Sequence, residues 1–142
     1  MRAVAISLKI PDNTAYTALV TLRRLCVDVH RLERSDIYFF ESDDAAALAK
    51  RVAADETIFN PNKHRLTVLD EPLPRAGEVW IEPLAACRRE RAGAWRLFDE
   101  TGAPVSAAVL DAAIERLLCN PAIDRAVTGE NARDRDNGNV GE

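Results

Sequence analysis

The side chains with the strongest intrinsic chemistry in this 142-residue chain are two histidines, His30 and His64, and three cysteines, Cys26, Cys87 and Cys119. A metal centre needs such groups at short spacings, four apart on a helix or two apart in a knuckle. Neither histidine has a partner at such a spacing, and both read as strand-surface residues. The odd, widely separated cysteines suit neither a disulfide framework nor a zinc knuckle. Cys26 and Cys119 end apolar helical stripes and read as small core residues. Cys87 stands before Arg88-Arg89, whose charge favours a thiolate, but no nucleophile motif surrounds it. Asp43-Asp44 and Asp55-Glu56 bracket a helical stretch. Paired carboxylates can do acid–base work, but capping and solvation account for these at lower cost. No glycine-rich phosphate loop is present. The run Arg88-Arg89-Glu90-Arg91 suits a phosphate or an acidic partner, and equally a solvated loop. The expectation is no catalytic residue, no metal site and no cofactor: a small scaffold or binding subunit.

Bulk properties narrow the class. The chain is 47% hydrophobic and 30% charged, ordinary for a globular protein that needs no staples to bury a core. A net charge of -4 and a pI of about 5.3 argue against general binding to nucleic acid or anionic membrane. No apolar run reaches the length of a membrane span. The start, Met1-Arg2-Ala3-Val4, enters a strand pattern without a leader signature, and the odd, widely spaced cysteines make a reducing cytoplasm the expected compartment.

The positioning elements follow from periodicity. Val4, Ile6, Leu8 and Ile10 alternate with polar or small residues, predicting a strand that Pro11 ends. Asp12 or Asn13 caps a helix to about residue 25, with Leu19, Leu22 and Cys26 on its apolar face. Val27, Val29 and Leu32 predict a second strand, Arg34-Ser35-Asp36 a tight turn, and Ile37–Glu41 a third strand. Ser42-Asp43-Asp44 caps a second helix whose stripe is Ala45, Leu48, Ala49 and Val52. Asn60-Pro61 is expected to stop that helix, because a residue before proline leaves the α region. Leu66 and Val68 mark a fourth strand. The order β-α-β-β-α-β over residues 1–70 predicts a ferredoxin-like α+β sandwich with both helices on one face.

Residues 71–77, rich in proline, predict a linker. Beyond it come a strand at 78–82, a strand through Trp95 and Leu97, a helix from about Val105 to Cys119, the stop Asn120-Pro121, and a short last strand near Ile123 and Val127. A mobile tail is expected over 130–142. Residues 37–68 align with 97–128 without a gap, superposing Asn60-Pro61 on Asn120-Pro121. Residues 78–129 therefore read as a partial β-β-α-β repeat, which must extend the first sheet or pack on a partner because a half-unit cannot close a core alone. Trp80 and Trp95 fill a core or an interface, and with Asn60, Pro61, Asn120 and Pro121 they are the candidate partner or dimer contacts.

Specific residues also carry a family likeness. Val4-Ala5-Ile6-Ser7-Leu8-Lys9 leading into a helix with Leu22-Arg23-Arg24-Leu25, the pair Val27–Arg31 and Ile37–Glu41, and above all Leu117-Leu118-Cys119-Asn120-Pro121-Ala122-Ile123-Asp124 resemble PurS, the small subunit of the formylglycinamide ribonucleotide amidotransferase of purine synthesis. Thr57-Ile58-Phe59-Asn60-Pro61 is a looser form of the same ending. The resemblance implies a ferredoxin-like fold that dimerises through its sheets and has no active site of its own. It implies a role bridging a glutaminase and an ATP-dependent synthetase. The chain departs from the family in its first loop, Pro11-Asp12-Asn13-Thr14, and in its extra length. A ferredoxin-like regulatory domain that binds a small molecule as a dimer is the alternative.

Overall fold

In the computed structural model, which describes residues 1–85 and 89–132, the chain is α+β. Ten elements follow in order: β1 (Arg2–Leu8), α1 (Asn13–Arg24), β2 (Arg31–Phe40), α2 (Ala45–Ala53), β3 (His64–Val68), β4 (Glu78–Pro83), β5 (Arg91–Phe98), α3 (Ala107–Ala113), a π-helical turn α4 (Ile114–Leu118) and β6 (Asp124–Thr128). Six strands form one antiparallel sheet in the order β3-β1-β2-β5-β4-β6. The prolonged central strands β2 and β5 pair from Arg31↔Phe98 to Tyr38↔Arg91 and join the two halves of the chain.

Each half repeats one arrangement. β2 and β3 both run antiparallel to β1 and flank it, with α2 connecting them. β5 and β6 flank β4 in the same way, with α3 and α4 between them. Both halves are therefore split β-α-β crossings around a central strand. They meet at β2–β5.

The alternation of side chains assigns the two sheet faces. Val4, Ile6, Leu32, Tyr38, Phe40, Leu66, Val68, Val79, Trp95 and Leu97 share one face, and the helices lie on it. There α1 and α3 place Ala18, Leu22, Leu110 and Ala113 against Leu32, Val79 and Leu97. On the same face α2 lays Leu48 and Val52 on Val4 and Ile6. Ala3, Ala5, Ile37, Phe39, Leu69, Trp80, Ala92, Ala94 and Val127 form the opposite face and are buried as a separate cluster.

The caps follow the sequence. Asp12 accepts from the Ala15 N–H, Asp44 from the Ala46 and Ala47 N–H groups, and Ser106 from the Val109 N–H. At the end of α1, Cys26 adopts φ 63°, the left-handed conformation that closes a helix and favours glycine.

Four sequence expectations change. The turn at Arg34-Ser35-Asp36 does not exist: residues 31–40 are one strand, so residues 1–70 hold three strands and the order β-α-β-α-β. Those polar residues look like a turn, yet two of them find partners, Arg34 at the cap of α1 and Asp36 on the neighbouring strand. Arg34 Nε donates to Asp12 Oδ2 at 3.0 Å, and Asp36 pairs with Arg91 at 3.3 Å. Second, Val27 and Val29 are buried in the loop before β2 and not in a strand of their own. Third, α2 ends at Ala53, so Asn60-Pro61 does not stop it. Fourth, the helix expected to Cys119 is α-helical only to Ala113 and then widens, with the Cys119 N–H reaching back to the Ile114 carbonyl at 3.2 Å. The expected mobile tail falls on 130–142, of which 133–142 lie outside the described residues.

Candidate functional site: two sheet edges and a helical groove

The two Asn-Pro turns launch the two edge strands. The Asn60 carbonyl accepts from the Lys63 and His64 N–H groups at 3.0 and 2.8 Å, and its side-chain oxygen accepts from the Asn62 N–H at 2.9 Å. The Asn120 carbonyl accepts from Ile123 and Asp124 at 3.0 and 2.8 Å, and its side-chain oxygen accepts from the Ala122 N–H at 3.1 Å. An asparagine that bonds its own chain two residues on, followed by proline with its preset φ, is a pre-formed turn. Here it sets the first residue of an edge strand. Pro61, Asn120 and Pro121 are exposed and Asn60 is half-buried.

Trp95 and Trp80 separate. Trp95 lies half-buried on the helical face and lines a groove of about 500 Å³ with Asn13, Thr14, Thr17 and Thr21 of α1 and with Leu117 and Leu118 of α4. The wide turn of α4 leaves Leu117 exposed beside Trp95. Trp80 is 0% exposed on the opposite face, its ring edge-on to Phe39 at 5.5 Å. It is a core residue, and the expectation of a partner contact is withdrawn for it: antiparallel pairing with both β5 and β6 places it mid-sheet.

Two buried carboxylates sit in β4, and arginines answer both. Glu78, 1% exposed, accepts from the Arg75 N–H and guanidinium. That hydrogen bonding holds the Arg75 pKa above its ordinary value. Glu82 binds Arg89 and Arg125, each at 2.8 Å. Arg89 also lies 4.2 Å from the Phe39 ring centroid. The sequence reading of Arg88–Arg91 as a solvated loop therefore fails at Arg89, which neutralises a buried acid, and at Arg91, which opens β5. Arg88 and Cys87 lie outside the described residues. Each buried charge so paired is a structural element, since an isolated one would be expensive.

The remaining reactive groups stay apart. His64 Nδ1 accepts from the Asn60 N–H at 3.0 Å and belongs to the turn. His30 is exposed at the start of β2. Cys119 is half-buried, and desolvation pushes its thiol pKa up. Asp44 serves as an N-cap, and Asp55 accepts from the Thr57 N–H and hydroxyl. Among the described residues no three His, Cys, Asp or Glu side chains are grouped to hold a metal ion. No helix of the described residues is long and apolar enough to cross a membrane.

The edges differ in their backbone. Along β3, the Lys9 N–H to Lys63 carbonyl bond and the Leu69 N–H to Ala3 carbonyl bond turn the odd-numbered residues towards β1. The polar backbone groups of Leu66 and Val68 consequently point outward. Along β6 the outward groups belong to Asp124, Ala126 and Thr128, and Asn131 covers two of them. Its amide donates to the Ala126 carbonyl at 3.2 Å, and its oxygen accepts from the Thr128 N–H at 2.9 Å. One edge is closed by a side chain and the other is open. Sequence reasoning singled out the Asn-Pro turns but missed this cap; an asparagine three residues beyond the last strand was its only trace.

No protein-family model, curated protein or solved structure matches the chain.

Proposed function

We propose that this chain is a non-catalytic bridging subunit of the PurS kind, self-associating and holding a glutaminase against an ATP-dependent synthetase in glutamine-dependent amidotransfer to formylglycinamide ribonucleotide. The single observation that carries the reading is the pair of identically bonded Asn-Pro turns. The residues most similar to that family, Leu117–Asp124, are the segment that builds the second turn and starts β6. Buried Glu78 and Glu82 are each neutralised by arginine and leave no free acid–base pair at those positions. The finer fold assignment is part of the same proposal: each split β-α-β crossing is the portion of a ferredoxin-like sandwich that this chain repeats.

The role is tested by reconstitution. A glutaminase and a synthetase from the same source are assayed for amidine formation with glutamine and with ammonia, with and without this chain. The expected result is a glutamine-dependent rate that needs the chain and an ammonia-dependent rate that does not. Unchanged glutamine-dependent activity in its absence overturns the role.

One observation favours the second reading, a small-molecule regulatory domain. A cavity of about 310 Å³ gathers Arg34, Arg65 and Arg75 with Ser7, Ser35 and Thr67 and with the carboxylates Asp12 and Glu33, a lining of both charges suited to a small polar metabolite. A ligand selective for the folded state raises the melting temperature, so phosphate and carboxylate metabolites are the probes.

A further inference from the structure

An unpaired strand edge is a template for a further strand, and proteins usually block it. In this sheet Asn131 blocks β6, whereas Leu66 and Val68 of β3 present both N–H and C=O outward with no partner among the described residues. The charges around β3 are also ordered along the chain. Lys63, His64 and Arg65 stand at its start and Asp70 just past its end. Lys63, Arg65 and Asp70 are exposed. An antiparallel copy of the same strand reverses that order, so base meets acid at both ends.

We propose that β3 pairs with β3 of a second copy across a two-fold axis at Thr67. The register follows from two requirements. The outward groups are those of even-numbered residues, so the hydrogen-bonded pairs must be even with even. The charges then choose among such registers. Setting Leu66 opposite Val68 of the second copy places His64 directly opposite its Asp70, on one side of the ribbon. The competing register, Leu66 on Leu66, brings His64 against Val68 and leaves Asp70 without a basic partner. His64 is prepared for the contact: with Nδ1 accepting from the Asn60 N–H, its remaining proton sits on Nε2, free to donate. The helical face continues across the junction, since Leu66 and Val68 are both half-buried on the α2 side. The product is a twelve-stranded sheet whose outer edges are two Asn131-capped β6 strands. Closure by a two-fold makes the assembly a dimer and not a fibre.

From the bridging reading this takes only that the chain self-associates, and the following test is independent of any glutaminase. Light scattering on a chromatography column, over a concentration series of the full chain, is expected to show a dimer. Val68→Pro deletes an outward N–H and keeps the bonds to β1, so the fold, followed by circular dichroism, persists. It removes two hydrogen bonds per dimer and should weaken dimerisation by about 10- to 30-fold. In a background with Cys26, Cys87 and Cys119 changed to serine, Thr67→Cys should form an interchain disulfide on mild oxidation, and Arg65→Cys should not. A monomer at every concentration overturns the proposal. So does a dimer indifferent to Val68→Pro, or a cross-link at position 65 in place of 67. Should Val68→Pro unfold the chain, the Thr67→Cys and Arg65→Cys pair still decides.

Discussion

Asn60 and Asn120 occupy the same structural position sixty residues apart: each binds the N–H groups two, three and four residues ahead and hands the chain to an edge strand. The equivalence extends outward from them. β2 and β5 begin at Arg31 and Arg91, and β3 and β6 span His64–Val68 and Asp124–Thr128, the same offset at these boundaries. The central strands are less alike. In β1 Val4 faces Val68, and in β4 Val79 faces Thr128, so the halves share an arrangement and differ in the connection from the central strand to the next, which carries α1 in the first half.

If the two turns are equivalent, their loss should cost the same. Asn60→Ala and Asn120→Ala each remove a side-chain acceptor from an Asx turn, an expected loss of about 1 kcal/mol by urea unfolding. The sites lie in different halves, so the double variant should lose the sum to within about 0.5 kcal/mol. A negligible effect at one site would show that its turn is held by other contacts.

Cys26 is a second, opposite case. With φ at 63° a β-carbon is strained there, and glycine is the natural residue. Cys26→Gly should stabilise the chain by about 0.5 to 1 kcal/mol, read as a higher urea midpoint with an unchanged slope. A lower midpoint would mean that the exposed thiol makes an interaction that outweighs the strain.

The buried carboxylates predict a contrast. Glu82→Gln leaves Arg89 and Arg125 facing a neutral group, and breaking such a pair costs about 3 kcal/mol, at the low end because both arginines are one-third exposed. Glu33→Gln breaks the exposed pair with Arg31 and should change stability by less than about 1 kcal/mol. Equal effects would contradict the structural role given to Glu82.

Acid sensitivity has a defined sign. Hydrogen bonds from Thr57 to Asp55, and from Thr101 to Asp99, hold both carboxyl pKa values below the ordinary 3.8. A depressed folded-state pKa stabilises the fold above the unfolded value and is lost as pH falls through the lower folded value. Thr57→Val and Thr101→Val should therefore reduce stability at neutral pH and flatten its decline below pH 3.8. NMR titration of the two carboxyls checks the cause: each should move up towards 3.8 in its variant.

Much of this arrangement is legible in the sequence because it is local. Period-two runs mark β1, β4 and β5, and short polar side chains mark the caps of α1 and α2, whereas the cap of α3, Ser106, falls inside the helix expected from about Val105. Asp12, Asp44 and Ser106 act within four residues of themselves, where side-chain length alone decides. The misreadings are tertiary. Arg34-Ser35-Asp36 has turn composition, and only pairing with β1 on one side and β5 on the other keeps it extended. Glu78 and Glu82 look like the solvent face of an edge strand. They are buried because β6 and β5 enclose β4, and Arg75, Arg89 and Arg125 arrive from loops and a neighbouring strand to neutralise them. The Asn-Pro turns were visible as residues, but their role as strand starters depends on where α2 ends, and the alanine-rich stripe gives no sharp signal for that.

The bridging role is tested most directly by the glutamine-to-ammonia rate ratio of the reconstituted glutaminase and synthetase, measured with and without this chain. A bridging subunit predicts a ratio that falls at least tenfold when the chain is left out, with the ammonia-supported rate unchanged. A ratio that stays the same would contradict it.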